Sequence, residues 1–162
     1  MTVLPRFRAT IALAPLLVAL ALSGCAGTVT STAPSPTPSA TTAGPCAEVT
    51  VIVEFTTLDH TSITACAPAG VAADVLKAAK LTTAGTADYG NQVICRVDDL
   101  PAPAVESCAK LPSAAYWAMW IKTSANAKWD YAQEGVATQQ LTAGQFLGLR
   151  YTVGDDTTPP QG

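Results

Sequence analysis

Histidine is almost missing from this sequence: His60 is the only one among 162 residues. Imidazole-based metal sites and nucleophile–histidine pairs therefore lose their usual ligand and base. His60 itself follows Leu58-Asp59 between two strand-like segments, which reads as a solvated turn. No two cysteines stand in a CxxC spacing, and there is neither a glycine-rich phosphate loop nor a G-x-S-x-G turn. The adjacent carboxylates Asp98-Asp99 and Asp155-Asp156 point apart in an extended chain and read as turn and tail residues, not an acid/base pair. Catalysis is not expected, and neither is a metal or other cofactor. Charged residues make up only 13% of the chain and form no basic cluster, which argues against nucleic acid as a partner.

Long apolar runs are missing too. The one run present, Ala9–Leu22, has fourteen residues interrupted by Pro15, short of the roughly 18–20 that a membrane span needs. It follows a short basic region, Arg6 and Arg8, and ends in Leu22-Ser23-Gly24-Cys25. That combination describes a secretory signal over residues 1–24, and the tetrapeptide resembles a bacterial lipobox with Cys25 as the lipidated first residue. An ordinary signal cut near Ala26 is the competing reading. Diacylglycerol supplies the two chains that stable anchoring requires, so the chain is expected on the extracytoplasmic face of the cell membrane. Phe7 between the two arginines argues against a twin-arginine route. Nine basic residues less those two leave seven against twelve acidic ones, 7 − 12 = −5 for the mature chain. The lipid, and not a polybasic patch, would hold it at the membrane.

Residues 26–45, "AGTVTSTAPSPTPSATTAGP", carry no charge and almost nothing to bury. Such a composition does not repay its ordering entropy, so 25–45 is expected to be a flexible linker. The tail, 155–162, has the same character. Between them, residues 46–154 suffice for one compact domain. Cys46, Cys66, Cys95 and Cys108 lie in it; outside the cytoplasm an even count reads as two disulfides. Three pairings are open, and Cys46–Cys66 with Cys95–Cys108 is favoured because each closes a local segment.

Alternation in "EVTVIVEFTT" predicts a strand with Val49, Val51, Val53 and Phe55 on one face. "TSITAC" then pairs with it as a hairpin. In "VAADVLKAAKL", Val71, Val75, Leu76 and Ala79 form one helical stripe, with Lys77 and Lys80 on the wet side. Residues 82–90 have turn composition. "NQVICRV" returns to a strand closed by Asp98-Asp99, and "QFLGLRYTV" ends the domain as another. Hairpin, helix and further strands fit a β-grasp-like α+β domain, a mixed sheet with one packed helix, among the α+β arrangements periodicity admits. Glu54 and Arg150 are candidates for an ion pair across the sheet.

Aromatics are scarce, three Trp, four Tyr and three Phe, and half of them lie between 116 and 131. In "AAYWAMWIK", residues 114–122, strand alternation puts Tyr116, Ala118 and Trp120 on one face and Trp117, Met119 and Ile121 on the other. A helical stripe is also possible, but the short length and aromatic density favour a strand. The wholly apolar Trp117 face is expected to be core, which leaves Trp120 as the indole facing water. Tyr and Trp supply large rigid contact area with a polar handle, and small Ala118 leaves room for a flat ligand. Tyr116, Trp117, Trp120, Trp129 and Tyr131 are therefore the candidate ligand-binding residues.

The order of these motifs resembles the transcobalamin-like C-terminal domain. "VTVIVEF" is similar to its first strand and "APAGVAADVLKAAKL" to the small-residue turn entering its helix. "YGNQVICRVDDLPA" resembles the Cys-Arg-hydrophobic-Asp turn, "SAAYWAMWIKTSANAKWDYAQEGV" the aromatic strand and "GQFLGLRYT" the closing strand. The resemblance spans residues 48–153 and departs from the family at Asp99, where its bacterial members often place glycine. It implies a β-grasp-like fold and a Cys95–Cys108 disulfide. It also implies a role in capturing cobalamin-like or other small ligands for an uptake system, with a membrane transporter as a possible partner. In the family's animal carriers this domain closes over the ligand against a large helical one, so a module working without it is expected to bind weakly. The other function class is a non-catalytic structural or adaptor module binding a protein partner at the cell envelope. The anchor is open to a direct test: Cys25→Ser should shift the protein from the membrane fraction to the soluble one, and unchanged retention would refute the lipobox reading.

Overall fold

The computed structural model of the chain describes residues 46–161. The expected signal segment 1–24, the expected lipidation site Cys25 and the expected linker lie outside the described residues. Within them the architecture is α+β, mostly sheet with a single helix. The principal sheet has five strands: β1 (Val49–Glu54), β2 (Ile63–Ala67), β6 (Ala115–Lys122), β7 (Asp130–Tyr131) and β9 (Phe146–Val153), in the order β2-β1-β9-β6-β7. Two small ribbons complete the strands of the described residues, β3 (Gly70–Val71) with β8 (Gln140–Leu141) and β4 (Thr83–Thr86) with β5 (Gly90–Val97).

β1 and β2 form the expected antiparallel hairpin, with Val51 opposite Ala65. β1 also lies parallel to β9, with Thr50 opposite Phe146 and Glu54 opposite Arg150. β9 in turn runs antiparallel to β6 along all eight residues, from Ala115↔Val153 to Lys122↔Phe146. One face of these strands builds the core from Val49, Val51, Val53, Phe55, Leu147, Leu149, Tyr151 and Trp117. The helix α1 (Ala72–Ala78) adds Ala72, Val75 and Leu76 to that core. Cys46 pairs with Cys66 and Cys95 with Cys108, each with Cα atoms 5.8 Å apart. The first ties the residues before β1 to β2, and the second ties β5 to the loop before β6. Each closure restricts the unfolded chain and stabilises the domain by roughly 2–4 kcal/mol.

α1 is shorter than the apolar stripe suggested, and both its ends explain why. At its start Ala72 N–H donates to Gln139 O at 2.8 Å and Ala73 N–H to Val136 O at 3.0 Å, so backbone carbonyls of a later loop occupy the orphan donors. At its end Lys80 adopts φ 68°. Lys80 N–H donates to Lys77 O at 3.1 Å and Leu81 N–H to Leu76 O at 3.1 Å, the paired bonds of a Schellman closure. Two further expectations are corrected. Thr83–Thr86, read as turn, is strand β4, because Gly85 allows its backbone to press against Gly90 where a side chain would collide. Residues 155–161, expected to lack order, lie against the sheet face opposite the helix, with Pro160 fully buried. Gly148 on β9 makes the place for them: a Cβ there would stand 2.7 Å from Pro160 Cγ and 3.0 Å from Trp129 Cζ3.

A non-glycine residue held in the left-handed region is strained by about 1 kcal/mol. Lys80→Gly should therefore raise unfolding free energy by about that amount in a urea titration. A decrease would show that residue 80 does not close the helix in this conformation.

Candidate ligand cleft

β7 pairs with β6 only at Trp120↔Tyr131 and Ile121↔Asp130. Beyond that point Ala132 N–H donates to Met119 O at 2.9 Å, and no strand among the described residues pairs with the remaining outer edge of β6. β5 passes on that side without joining the ladder. The gap between them is a cleft of about 340 Å³, within the lower range for small-molecule sites. Its walls are Val93 and Ile94 of β5 and Trp117 and Met119 of β6, with Val136 from the loop whose carbonyl receives the helix start. Gln92, Glu134 and the two phenols of Tyr116 and Tyr131 supply polarity, and Leu111 with Pro112 forms a lip. Leu111 and Tyr131 are 54% and 44% exposed, so apolar and aromatic surface is presented to solvent at this cleft. A second cleft, of about 390 Å³, lies between α1 and the β4–β5 ribbon. It shares Val93, Ile94 and Val136 with the first but contains no aromatic residue.

The five candidate aromatics are not one site. Trp117 is 7% exposed and belongs to the core, edge-on to Phe55 and Tyr151 at 5.3 Å each, with its Nε1–H donating to Leu100 O at 3.3 Å. It also lines the cleft. Trp120, expected to face water, is 8% exposed. It packs on the Tyr131 ring at 5.0 Å and stands opposite Gly148, over which Trp129 and Pro160 lie. Trp129 meets Phe146 edge-on at 6.3 Å, and Lys122 Nζ stands 4.8 Å and 4.4 Å from the centroids of those two rings. That geometry lets a nearly buried ammonium be stabilised by ring quadrupoles. Tyr116 and Tyr131 thus come together at the cleft, whereas Trp120 and Trp129 belong to the covered face.

Tyr131 carries the electrostatic signature of this rim. Partial burial, then the neighbouring Tyr116 hydroxyl, holds its hydroxyl above the ordinary 10.0. Sequence reasoning missed Glu134, Gln92, Met119 and Leu111, which come from four separate segments that only the folded chain assembles. Glu54 and Arg150 do pair, Oε2 to Nη1 at 2.6 Å, and His60 lies in its turn with its ring 4.1 Å from Phe55.

No family model matches the chain, and no curated protein or solved structure is significantly similar to it.

A raised phenol pKa means that the folded state prefers the neutral form. Its stabilising contribution is complete below the unfolded value of about 10 and is lost as pH rises through the folded value. In a tyrosinate absorbance titration Tyr131 should ionise above 10, and Tyr116→Phe should bring it closer to 10 by removing the neighbour. An unchanged titration in that variant would show that the two hydroxyls do not interact.

Proposed function

We propose that the chain is a lipid-anchored extracytoplasmic module of β-grasp type that captures a small flat ligand at the cleft between β5 and β6. The β-grasp reading is supported by a hairpin followed by a helix, and by first and last strands lying parallel at the centre of the sheet. The capture reading is carried by one observation: the paired phenols of Tyr116 and Tyr131 stand at a partly apolar cleft of about 340 Å³ that no segment of the described chain fills. Aromatic walls with a few polar groups are the usual make-up of such a site. The resemblance to transcobalamin-like domains suggests a cobalamin-like ligand, and the cleft would take an edge of a corrin while the rest stays in solvent. That arrangement suits weak capture and delivery to a membrane transporter, with residues 25–45 as the tether.

One observation favours a second reading, an adaptor that binds a protein partner. The outer edge of β6 over Ala115–Ala118 has no strand partner among the described residues, and a peptide strand could extend the sheet there.

Titration with cobalamins and smaller corrin fragments should quench intrinsic fluorescence saturably, because Trp117 borders the cleft. Tyr131→Ala should weaken that binding about tenfold, the equivalent of about 1.4 kcal/mol. Fluorescence unchanged up to millimolar ligand would remove the capture reading and leave the adaptor.

A further inference from the structure

The face of the sheet opposite the helix is covered by the chain's own C-terminal segment. After Val153, Gly154 turns the chain at φ +63°, its N–H donating to Ala114 O at 2.8 Å. The segment Asp155–Gln161 then lies against β9 and β1. Pro160 is fully buried over Gly148 beside the Trp129 ring. Asp156 lies 3.5 Å from Arg150 Nη2 and accepts from Thr158 N–H at 2.8 Å, and Gln161 N–H donates to Glu54 Oε1. A proline over a glycine notch beside an indole, flanked by charged anchors, is how aromatic grooves read extended proline-containing segments.

Two donors on this face have no acceptor among the described residues. Trp120 Nε1–H and Arg150 Nε–H are both buried and unpaired, although Arg150 uses its other nitrogens on Glu54 and Asp156. Trp120 lies opposite Gly148 and Arg150 two residues along the same strand, so both residues adjoin the Gly148 notch. Buried polar groups in a completed site are paired as a rule, so the tail is an incomplete occupant of the slot it fills.

We propose that this slot is a recognition site for an extended proline-containing polypeptide bearing one carboxylate, held closed by the chain's own residues 155–161. The tail shows the chemistry the slot accepts: a carboxylate for Arg150, a proline for the Gly148 notch and a backbone N–H for Glu54. A partner segment with those groups, and with carbonyls placed for Trp120 and Arg150, makes every contact the tail makes and pairs two more donors. It needs those extra bonds, because a tethered tail competes at an effective concentration of order millimolar.

The test uses the full chain and a synthetic peptide of the tail sequence, DDTTPPQG, carrying a fluorophore for anisotropy. Pro160→Gly weakens the tethered tail without removing any slot residue. The peptide should bind this variant saturably, about tenfold more tightly than the wild type, where the intact tail competes. A peptide with both prolines replaced by alanine should bind neither chain. Trp129→Ala added to the Pro160→Gly chain should abolish binding. If Pro160→Gly does not fold, Asp156→Ala, which leaves the proline in place, serves instead with the same expectations. The proposal is overturned if a natively folded variant binds no peptide at millimolar concentration, or if Trp129→Ala leaves the affinity unchanged. Concentration-dependent dimers without peptide binding would also overturn it, by assigning the slot to tail exchange between copies.

Discussion

The parallel pairing of β1 with β9 is the constraint on which the rest of the domain depends. It joins the first strand of the domain to the last, and it places both in the middle of the sheet with β2 and β6 on either side. A strand at the centre has to be covered on both faces. Val49, Val51 and Val53 go under the helix, while Thr50 and Ile52 are buried from the other side. β9 is consequently the most informative strand. Leu147, Leu149 and Tyr151 serve the core, and Phe146, Gly148 and Arg150 furnish the opposite face with an aromatic wall, a notch and a cation.

That division decides what the aromatic segment does. β6 runs the full length of β9, so its residues inherit the two faces: Trp117 goes to the core, Trp120 to the face closed by Trp129 and Pro160. The cleft lies at the free edge, where Tyr116 and Tyr131 meet. The phenols are the polar aromatic groups that a ligand entering the cleft would encounter. The proposed capture function therefore rests on a cleft at the sheet edge and not on an aromatic platform across the sheet.

Much of this was legible in the sequence because it depends on local pattern. Alternation together with strand-like composition located β1, β2, β5 and β9, aromatic density and short length located β6, and the faces of "AAYWAMWIK" were assigned correctly, with Met119 and Ile121 beside Trp117 against the core. Both disulfide pairings followed from local closure. What escaped depends on contacts between distant segments. The β4 strand is hidden in a Thr-Ala-Gly-Thr stretch whose only distinction is that Gly85 fits against Gly90. The tail shares its composition with residues 26–45, yet it docks because Gly148, about twelve positions earlier, leaves room for Pro160. A glycine inside an otherwise apolar strand signals close approach by another group, and Gly148 was that signal. Trp120 was expected in water because nothing local shows that a later proline and a neighbouring loop cover its face.

The central claim, that one sheet buries Trp117 and Trp120 on opposite faces, is tested most directly by hydrogen exchange at the Nε1–H groups of these two indoles. Trp117 Nε1–H is bonded to Leu100 O, and Trp120 Nε1 is buried though unpaired. Both protons should therefore exchange slowly in the native state. Rapid exchange at Trp120 would place its indole in solvent, restore a platform across the sheet and contradict the account.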